Sequence, residues 1–271
     1  MPEGDTIWRT AARLRPALEG AEIVAFEAPR LVGPRPRPGT TIEGVAAVGK
    51  HLLIHFVGGL SLDTHMRMTG SWHLHRTGER WRKPRHLLRC RIEVPGWEAV
   101  CFSAPVVRTY RRGAPGEDPT AHLGPDLCHP DAGSSAVIDD VRTRIEALAD
   151  PATPVGDVLL DQRIAAGIGN VYKSEVCFAC RVDPATPIGD VPDDVRRCLV
   201  ETAGRLLRAN LSTSRRTTVA GPPGSLAVYG RARRPCPRCG TPIRRDTQGE
   251  HARSTYWCPR CQPSRTGPRR G

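Results

Sequence analysis

Two cysteine pairs near the C-terminal end, Cys236-x2-Cys239 and Cys258-x2-Cys261, constrain this chain more than any other feature. Each Cys-x-x-Cys turn presents two thiolates, and the stretch between the pairs is the span of a hairpin that closes four thiolates into a tetrahedron. Two chance Cys-x-x-Cys pairs, or a redox site, are the competing readings. One zinc ion held by Cys236, Cys239, Cys258 and Cys261 has no exchangeable position, so it is structural: it folds a hairpin and performs no chemistry. What the hairpin displays is arginine, at 231, 233, 234, 238, 244, 245, 253 and 260. A small rigid finger covered in guanidinium groups is suited to phosphate.

The rest of the chain points the same way. Lysine and arginine total 40 against 28 acidic residues, a formal charge of +12 over 271 residues, which favours a polyanion over a small neutral ligand. There is neither an apolar run of spanning length nor a charged-then-apolar leader, so the expectation is a cytoplasmic protein without a membrane partner. In a reducing compartment the ten cysteines are not expected to form disulfides. Only Lys50, Lys83 and Lys173 are lysines, and only Asn170 and Asn210 are asparagines. Where arginine has replaced lysine for charge alone, a surviving lysine is a candidate for proton transfer, which arginine cannot perform.

Ile7, Ala11, Leu14 and Leu18 recur at helical spacing behind Asp5 or Thr6 as cap, predicting a helix near the start. From about 21 to 127 short apolar runs broken by Gly and Pro predict strands at 23–26, 51–57, 60–62, 71–74, 87–94 and 99–102, an antiparallel sandwich or flattened barrel. After a turn-rich hinge at 130–135 the period becomes helical, over 137–149, 154–163, 171–180 and 192–210. Residues 212–225 lack periodicity and predict a mobile loop. The fold class is α+β and multidomain: a β-sandwich domain at 1–129, a helical domain at 136–211, the zinc hairpin at 226–262, and a disordered basic tail at 263–271.

Gly167-Ile-Gly-Asn is not a dinucleotide fingerprint, because it follows a helix and Tyr172 occupies the third glycine position. It reads better as a turn whose second helix opens at Asn170 and offers backbone N–H groups and an amide to a phosphate, or as an ordinary glycine turn. Cys177 and Cys180 share a helical face and are expected to pack as small apolar residues. His73 and His75 lie on one strand face without an evident third ligand. At the other end, Met-Pro-Glu-Gly permits removal of Met1, exposing the secondary amine of Pro2. An α-amine titrates near ~8, and the positive end of the following helix lowers it further, leaving a neutral nucleophile with Glu3 beside it for acid–base work.

Together these pieces resemble the formamidopyrimidine-DNA glycosylase/endonuclease VIII family of base-excision repair enzymes. The matching blocks are Pro2-Glu3-Gly4, Gly49-Lys50-His51-Leu52-Leu53, His65 to Trp72, Leu123-Gly124-Pro125-Asp126, Leu160-Asp161-Gln162 through Tyr172, Val228-Tyr229-Gly230-Arg231, and Arg253 to Gln262. The resemblance implies a β-sandwich and a helix-two-turn-helix domain with a zinc finger, clamping double-stranded DNA that contains a damaged base or abasic site. It implies Pro2 as the nucleophile, Glu3 as the acid/base that opens the sugar, Lys50 as proton donor in β-elimination, and Arg253 as the fingertip phosphate ligand linked to δ-elimination. Asn170 grips the backbone, and Arg67 and Met68 lie on the loop that fills the void left by a flipped base.

Departures from the family pattern refine the expectation. Thr6 replaces the second N-terminal carboxylate, and His122 stands where the endonuclease VIII branch has a DNA-binding arginine. The Arg-Phe wedge of the formamidopyrimidine branch is absent around 106–110. The expectation is therefore a monomeric endonuclease VIII-like bifunctional glycosylase/AP lyase acting on oxidised pyrimidines by β,δ-elimination. A non-catalytic damaged-DNA-binding paralogue, or an AP lyase with weak glycosylase activity, remain the alternatives.

Overall fold

The structure is a computed structural model that describes residues 2–249 and 252–263; the basic tail expected at 263–271 lies almost wholly outside the described residues. The chain divides into two compact units, Met1–His122 and Leu123–Gly271. The boundary thus falls ahead of residue 129, because Gly124 and Leu127 donate their backbone N–H groups to the carbonyls of Gln162 and Ala166 in the second unit.

The first unit opens with α1 (Gly4–Leu18), whose buried Ile7, Ala11, Leu14 and Leu18 form one apolar stripe. Eight strands follow: β1 (Ala25–Glu27), β2 (Ile42–Val48), β3 (His51–Phe56), β4 (Leu60–His65), β5 (Ser71–Arg76), β6 (Leu88–Val94), β7 (Trp97–Phe102) and β8 (Val106–Arg111). They form two antiparallel sheets, ordered β2-β3-β4-β8 and β1-β6-β7-β5. Alternation decides the faces: Cys90, Ile92 and Val94 of β6 point inward, as do Leu52, Ile54, Phe56 and Leu62, and these pack with the α1 stripe into one core, whereas Leu88, ahead of a register shift, packs with Val100 and Phe102 in a separate cluster. Strands β2 and β8 were not among the expected ones.

The second unit contains α2 (Ser135–Leu148), the single turn α3 (Val155–Val158), α4 (Asn170–Ala179), α5 (Asp193–Arg208) and the hairpin β9 (Arg244–Gln248) with β10 (Arg253–Trp257). The helix expected over 154–163 stops after one turn. The Asp161 carboxylate takes the Arg163 N–H at 2.9 Å, and the Gln162 amide bonds Leu160 O and Ile168 O, turning the chain toward α4.

Every residue of α4 from Asn170 to Phe178 is buried, polar ones included. Buried polar groups need partners, and here the partners come from the hairpin and the segment before it. Lys173 Nζ donates to Thr255 Oγ1 at 2.7 Å, and the Tyr256 N–H reaches Ser174 Oγ at 3.3 Å. The Glu175 carboxylate accepts the N–H groups of Ala227, Val228 and Tyr229 at 2.8–2.9 Å and the Thr218 hydroxyl. The segment 212–225, expected to be mobile, contains no helix or strand, yet Thr217 and Thr218 are fastened through Asn210 and Glu175. Cys177 is buried as a packing residue, whereas Cys180 forms a disulfide with Cys198 that joins the end of α4 to α5, against the expectation of free thiols. The two cysteines are brought within bonding range only by the packing of those helices.

Candidate functional site

The N-terminal residues sit at the mouth of α1. Glu3 is extended (φ −121°, ψ −177°), and its carbonyl accepts the N–H groups of Thr6 at 2.9 Å and Ile7 at 3.1 Å. Pro2 is therefore placed directly ahead of the positive end of the helix dipole, where a cationic amine is disfavoured. Glu3 and Asp5 are fully buried and Pro2 is half-buried. Thr6, in place of a carboxylate, directs its hydroxyl to Asp5 Oδ1 at 3.3 Å.

Lys50 occupies the two-residue turn of the β2–β3 hairpin, between paired Val48 and His51. Gly49 has φ +57° at the first central position, the geometry of a hairpin turn that a side chain would strain. The strand register then lays a charged cluster on the outward face of β3, β4 and β8. Asp63, fully buried, accepts from Arg108 Nε at 2.9 Å and lies 2.9 Å from His51 Nδ1. The His65 ring meets His51 edge-on at 4.9 Å.

His65 also connects this cluster to the next turn. Arg67 (φ +43°) donates its backbone N–H to His65 Nδ1 at 3.2 Å, while Met68 stands 68% exposed at the turn's tip. Gly70 closes the turn on Met66, and a Cβ there would come within 2.7 Å of Met66 backbone atoms. Burial, followed by the charges of His51, Lys50 and Arg67 and opposed by Asp63, pushes His65 down to about 4. His73 is likewise lowered to about 4, by burial and then Lys83.

Because these folded-state values lie below the ordinary 6.5, the unfolded chain binds the protons more tightly. Stability is thus complete above pH 6.5 and declines as pH falls from there toward 4. Protonation of His65 Nδ1 also breaks the bond that holds Arg67. Thermal melts of the first unit are expected to lose several degrees between pH 7 and pH 5, and His65→Gln/His73→Gln to flatten that dependence. A pH-independent melting temperature in the wild type contradicts this account.

In the second unit Asn170 opens α4, 5% exposed, with Nδ2 donating to Ser254 O at 2.7 Å; its Oδ1 is buried with no hydrogen-bond partner. Arg253, adjacent to Ser254, begins β10 opposite Gln248. Burial raises the Asp157 carboxyl, and Lys173 and Arg253 oppose that shift, so these charges share one neighbourhood with Asn170's partner strand. His122 is exposed in a turn at the end of the first unit.

The four cysteines converge: their sulfurs all lie within 4.8 Å of one another, with Cys239–Cys258 at 3.5 Å and Cys236–Cys261 at 3.9 Å. A tetrahedron with metal–sulfur bonds of ~2.3 Å has edges of about 3.8 Å, so the donor set fits zinc. The finger's arginines divide into two groups. Arg231 bonds Leu226 O and Pro235 O, and Arg238 bonds Phe178 O and stacks on its ring at 4.2 Å, so both brace the fold. Arg233, Arg234, Arg244 and Arg245 are exposed, as is Arg260.

Sequence reasoning missed Asp63, Arg108 and Glu175. No local pattern marks a carboxylate whose partners lie on other strands or 43 to 54 residues away. Lys173 was marked by the scarcity of lysine, but it serves as a buried tie between helix and hairpin.

Three family models match in chain order: the formamidopyrimidine-DNA glycosylase N-terminal domain over residues 1–105, its H2TH domain over 124–220, and the zinc finger found in FPG and IleRS over 234–263. A probable endonuclease 8 2 of Streptomyces coelicolor is 42% identical, across 97% of this chain and 94% of its own. The DNA-(apurinic or apyrimidinic site) lyase Nei2 of Mycolicibacterium smegmatis is 38% identical, across 97% and 99%. In fold, a Lactococcus lactis formamidopyrimidine-DNA glycosylase bound to DNA containing an AP site superposes with a TM-score of 0.81 at 20% identity, covering 97% of this chain and 100% of that one.

Proposed function

The chain belongs to the formamidopyrimidine-DNA glycosylase family, and from that premise we propose that it removes oxidised pyrimidines from duplex DNA and cuts the strand by β,δ-elimination. The observation that carries this reading is Pro2 at the positive end of α1 with the buried Glu3 carboxyl next to it. The neutral Pro2 nitrogen attacks C1′ of the damaged nucleotide, the glycosidic bond breaks, and the base departs with a proton. Glu3 protonates the ring oxygen as the sugar opens, leaving an iminium between Pro2 and C1′. That cation acidifies C2′–H; loss of the proton expels the 3′ phosphate, and a second elimination expels the 5′ phosphate. Lys50 supplies a proton during elimination, and hydrolysis of the iminium regenerates the amine.

Arg253 neutralises the phosphate at the lesion and Asn170 holds the adjoining backbone. Arg67 and Met68 enter the void of the flipped base, which fits a left-handed turn projecting one exposed apolar side chain. His122 lies in a second, peripheral DNA contact. Zinc, bound by Cys236, Cys239, Cys258 and Cys261, supplies only a rigid platform for Arg253. The protein acts as a monomer in the cytoplasm, at the nucleoid; no described helix is long and apolar enough to cross a membrane.

The pyrimidine preference rests on the absent Arg-Phe wedge, with Val106 and Val107 in that stretch. It is tested by an excision panel on duplexes containing thymine glycol, dihydrouracil, 8-oxoguanine or a preformed abasic site. Thymine glycol and dihydrouracil are expected to be cut at least tenfold faster than 8-oxoguanine. Thr6, whose hydroxyl is engaged by Asp5, favours one alternative, an abasic-site lyase with weak base removal. Cleavage confined to the abasic duplex establishes that alternative, and an intact abasic strand establishes a binding protein instead.

A further inference from the structure

The connection between β5 and β6 carries four cations around one tryptophan: Arg80, Trp81, Arg82, Lys83 and Arg85. It is an anchored segment. Trp81 Nε1 donates to Glu98 Oε2 at 2.7 Å, and its ring meets Phe102 edge-on at 5.8 Å. Arg85 is held by Glu27 at 3.0 Å.

Lys83 is positioned by a directional relay. Its ammonium can only donate, and it does so to Ser71 Oγ at 2.9 Å. Ser71 must then turn its own hydrogen to His73 Nε2, 3.0 Å away, which suits a neutral imidazole. The Lys83 ammonium is thereby fixed at the first residue of β5 with further N–H bonds to offer.

Arg80 and Arg82 are exposed and make no ion pair among the described residues. The loop's carboxylate, Glu79, is engaged by the Arg76 N–H at 3.0 Å. Residues 79–85 bound an open cleft of about 550 Å³. Exposed Arg13 of α1 adds to the same positive field at His73.

Position within the sheet says what this cluster meets. Ser71 follows directly on the turn that projects Met68, and both Ser71 and Leu88 pair with Phe102, so the loop runs from the far end of β5 at Thr77 back to the strand ends from which Met68 emerges, which it reaches at Lys83. We infer that Arg80, Arg82 and Lys83 form a second phosphate clamp, which takes the backbone of duplex DNA beside the Met68 turn. The inference rests on the reading of the chain as a DNA-processing enzyme and adds to it a site outside the residues assigned above. Anchoring of Trp81 by Glu98 and of Lys83 by Ser71 orders the loop and one ammonium before DNA arrives, which reduces the ordering cost of binding.

The test measures binding to an uncleavable duplex with a tetrahydrofuran abasic analogue across a salt series. Arg80→Ala/Arg82→Ala is expected to weaken binding about tenfold near 0.1 M salt and to reduce the log–log salt slope by about 1–2. An equal-charge control, Arg30→Ala/Arg37→Ala on the exposed β1–β2 connection, is expected to keep the wild-type slope. A wild-type slope in the Arg80/Arg82 variant, or an equal drop in the control, overturns the clamp. Borohydride trapping of the wild type on abasic DNA separates the two claims. Trapping with an unaltered variant slope removes the clamp and leaves the lyase, and a reduced slope without trapping removes the lyase and leaves the clamp.

Discussion

Protein that retains any residue ahead of Pro2 forms no borohydride-trapped adduct with abasic DNA, and its strand cleavage falls on the order of 10³-fold or more. The blocked form keeps every side chain and loses one thing, a secondary amine that is partly neutral near pH 7. Its setting makes the loss severe. Glu3 turns its carbonyl into α1 to receive Thr6 and Ile7, so the nitrogen of Pro2 sits outside the helix on the dipole axis. No lysine replaces it, because an ammonium titrates far above neutrality unless it is buried in an apolar site. Pro2→Gly is expected to lose most of the adduct too. A primary amine gives an imine that must be protonated, whereas proline gives a permanently charged iminium, and glycine also frees the backbone angle that aims the amine. The measurement is a denaturing gel of protein incubated with labelled abasic duplex and borohydride. Full adduct from N-terminally extended protein would remove Pro2 from the mechanism.

Removing zinc, by chelation or by Cys258→Ser, is expected to unfold the β9–β10 hairpin and lower DNA binding by about 10² or more. Structural zinc contributes roughly 10–16 kcal/mol in isolated fingers, far more than two paired five-residue strands gain from their own pairing. Cys258 is fully buried, and its sulfur also accepts the Cys261 N–H. Loss of the hairpin removes Arg253 and the bonds that Asn170, Lys173 and Ser174 make to it, weakening the satisfaction of buried polar groups in α4. The damage should therefore extend into the second unit as a lowered thermal transition, while the first unit, which holds Pro2, Glu3 and Lys50, melts unchanged. Calorimetry with and without chelator, run beside the binding assay, reads both. A single unshifted transition with intact binding after complete metal removal defeats the structural role.

The parts of the fold that were legible in the sequence are those with a local cause. Ile7, Ala11, Leu14 and Leu18 announced α1, and the apolar run from Leu87 to Val94 announced β6. Strand β2 escaped because Gly44, Ala46 and Ala47 blur the alternation, and β8 because Arg108, which meets Asp63, and the buried Thr109 interrupt its apolar pattern. The helix expected at 154–163 was cut short by a side chain competing for backbone N–H groups. The Cys180–Cys198 bond was hidden because α4 and α5 must pack before the thiols meet.

By itself the sequence marked the four cysteines that converge, the Pro2-Glu3 start ahead of a helix and the helix opening at Asn170. Each depends on residues a few positions apart, whose spacing fixes their geometry before any tertiary contact forms. Only the tertiary structure decided that Lys173 ties α4 to a strand 82 residues away, that Asp63 gathers His51 and Arg108, and that Lys83 is pinned at Ser71. Those arrangements come from packing and strand register, in which a one-residue slip would send every side chain to the opposite face.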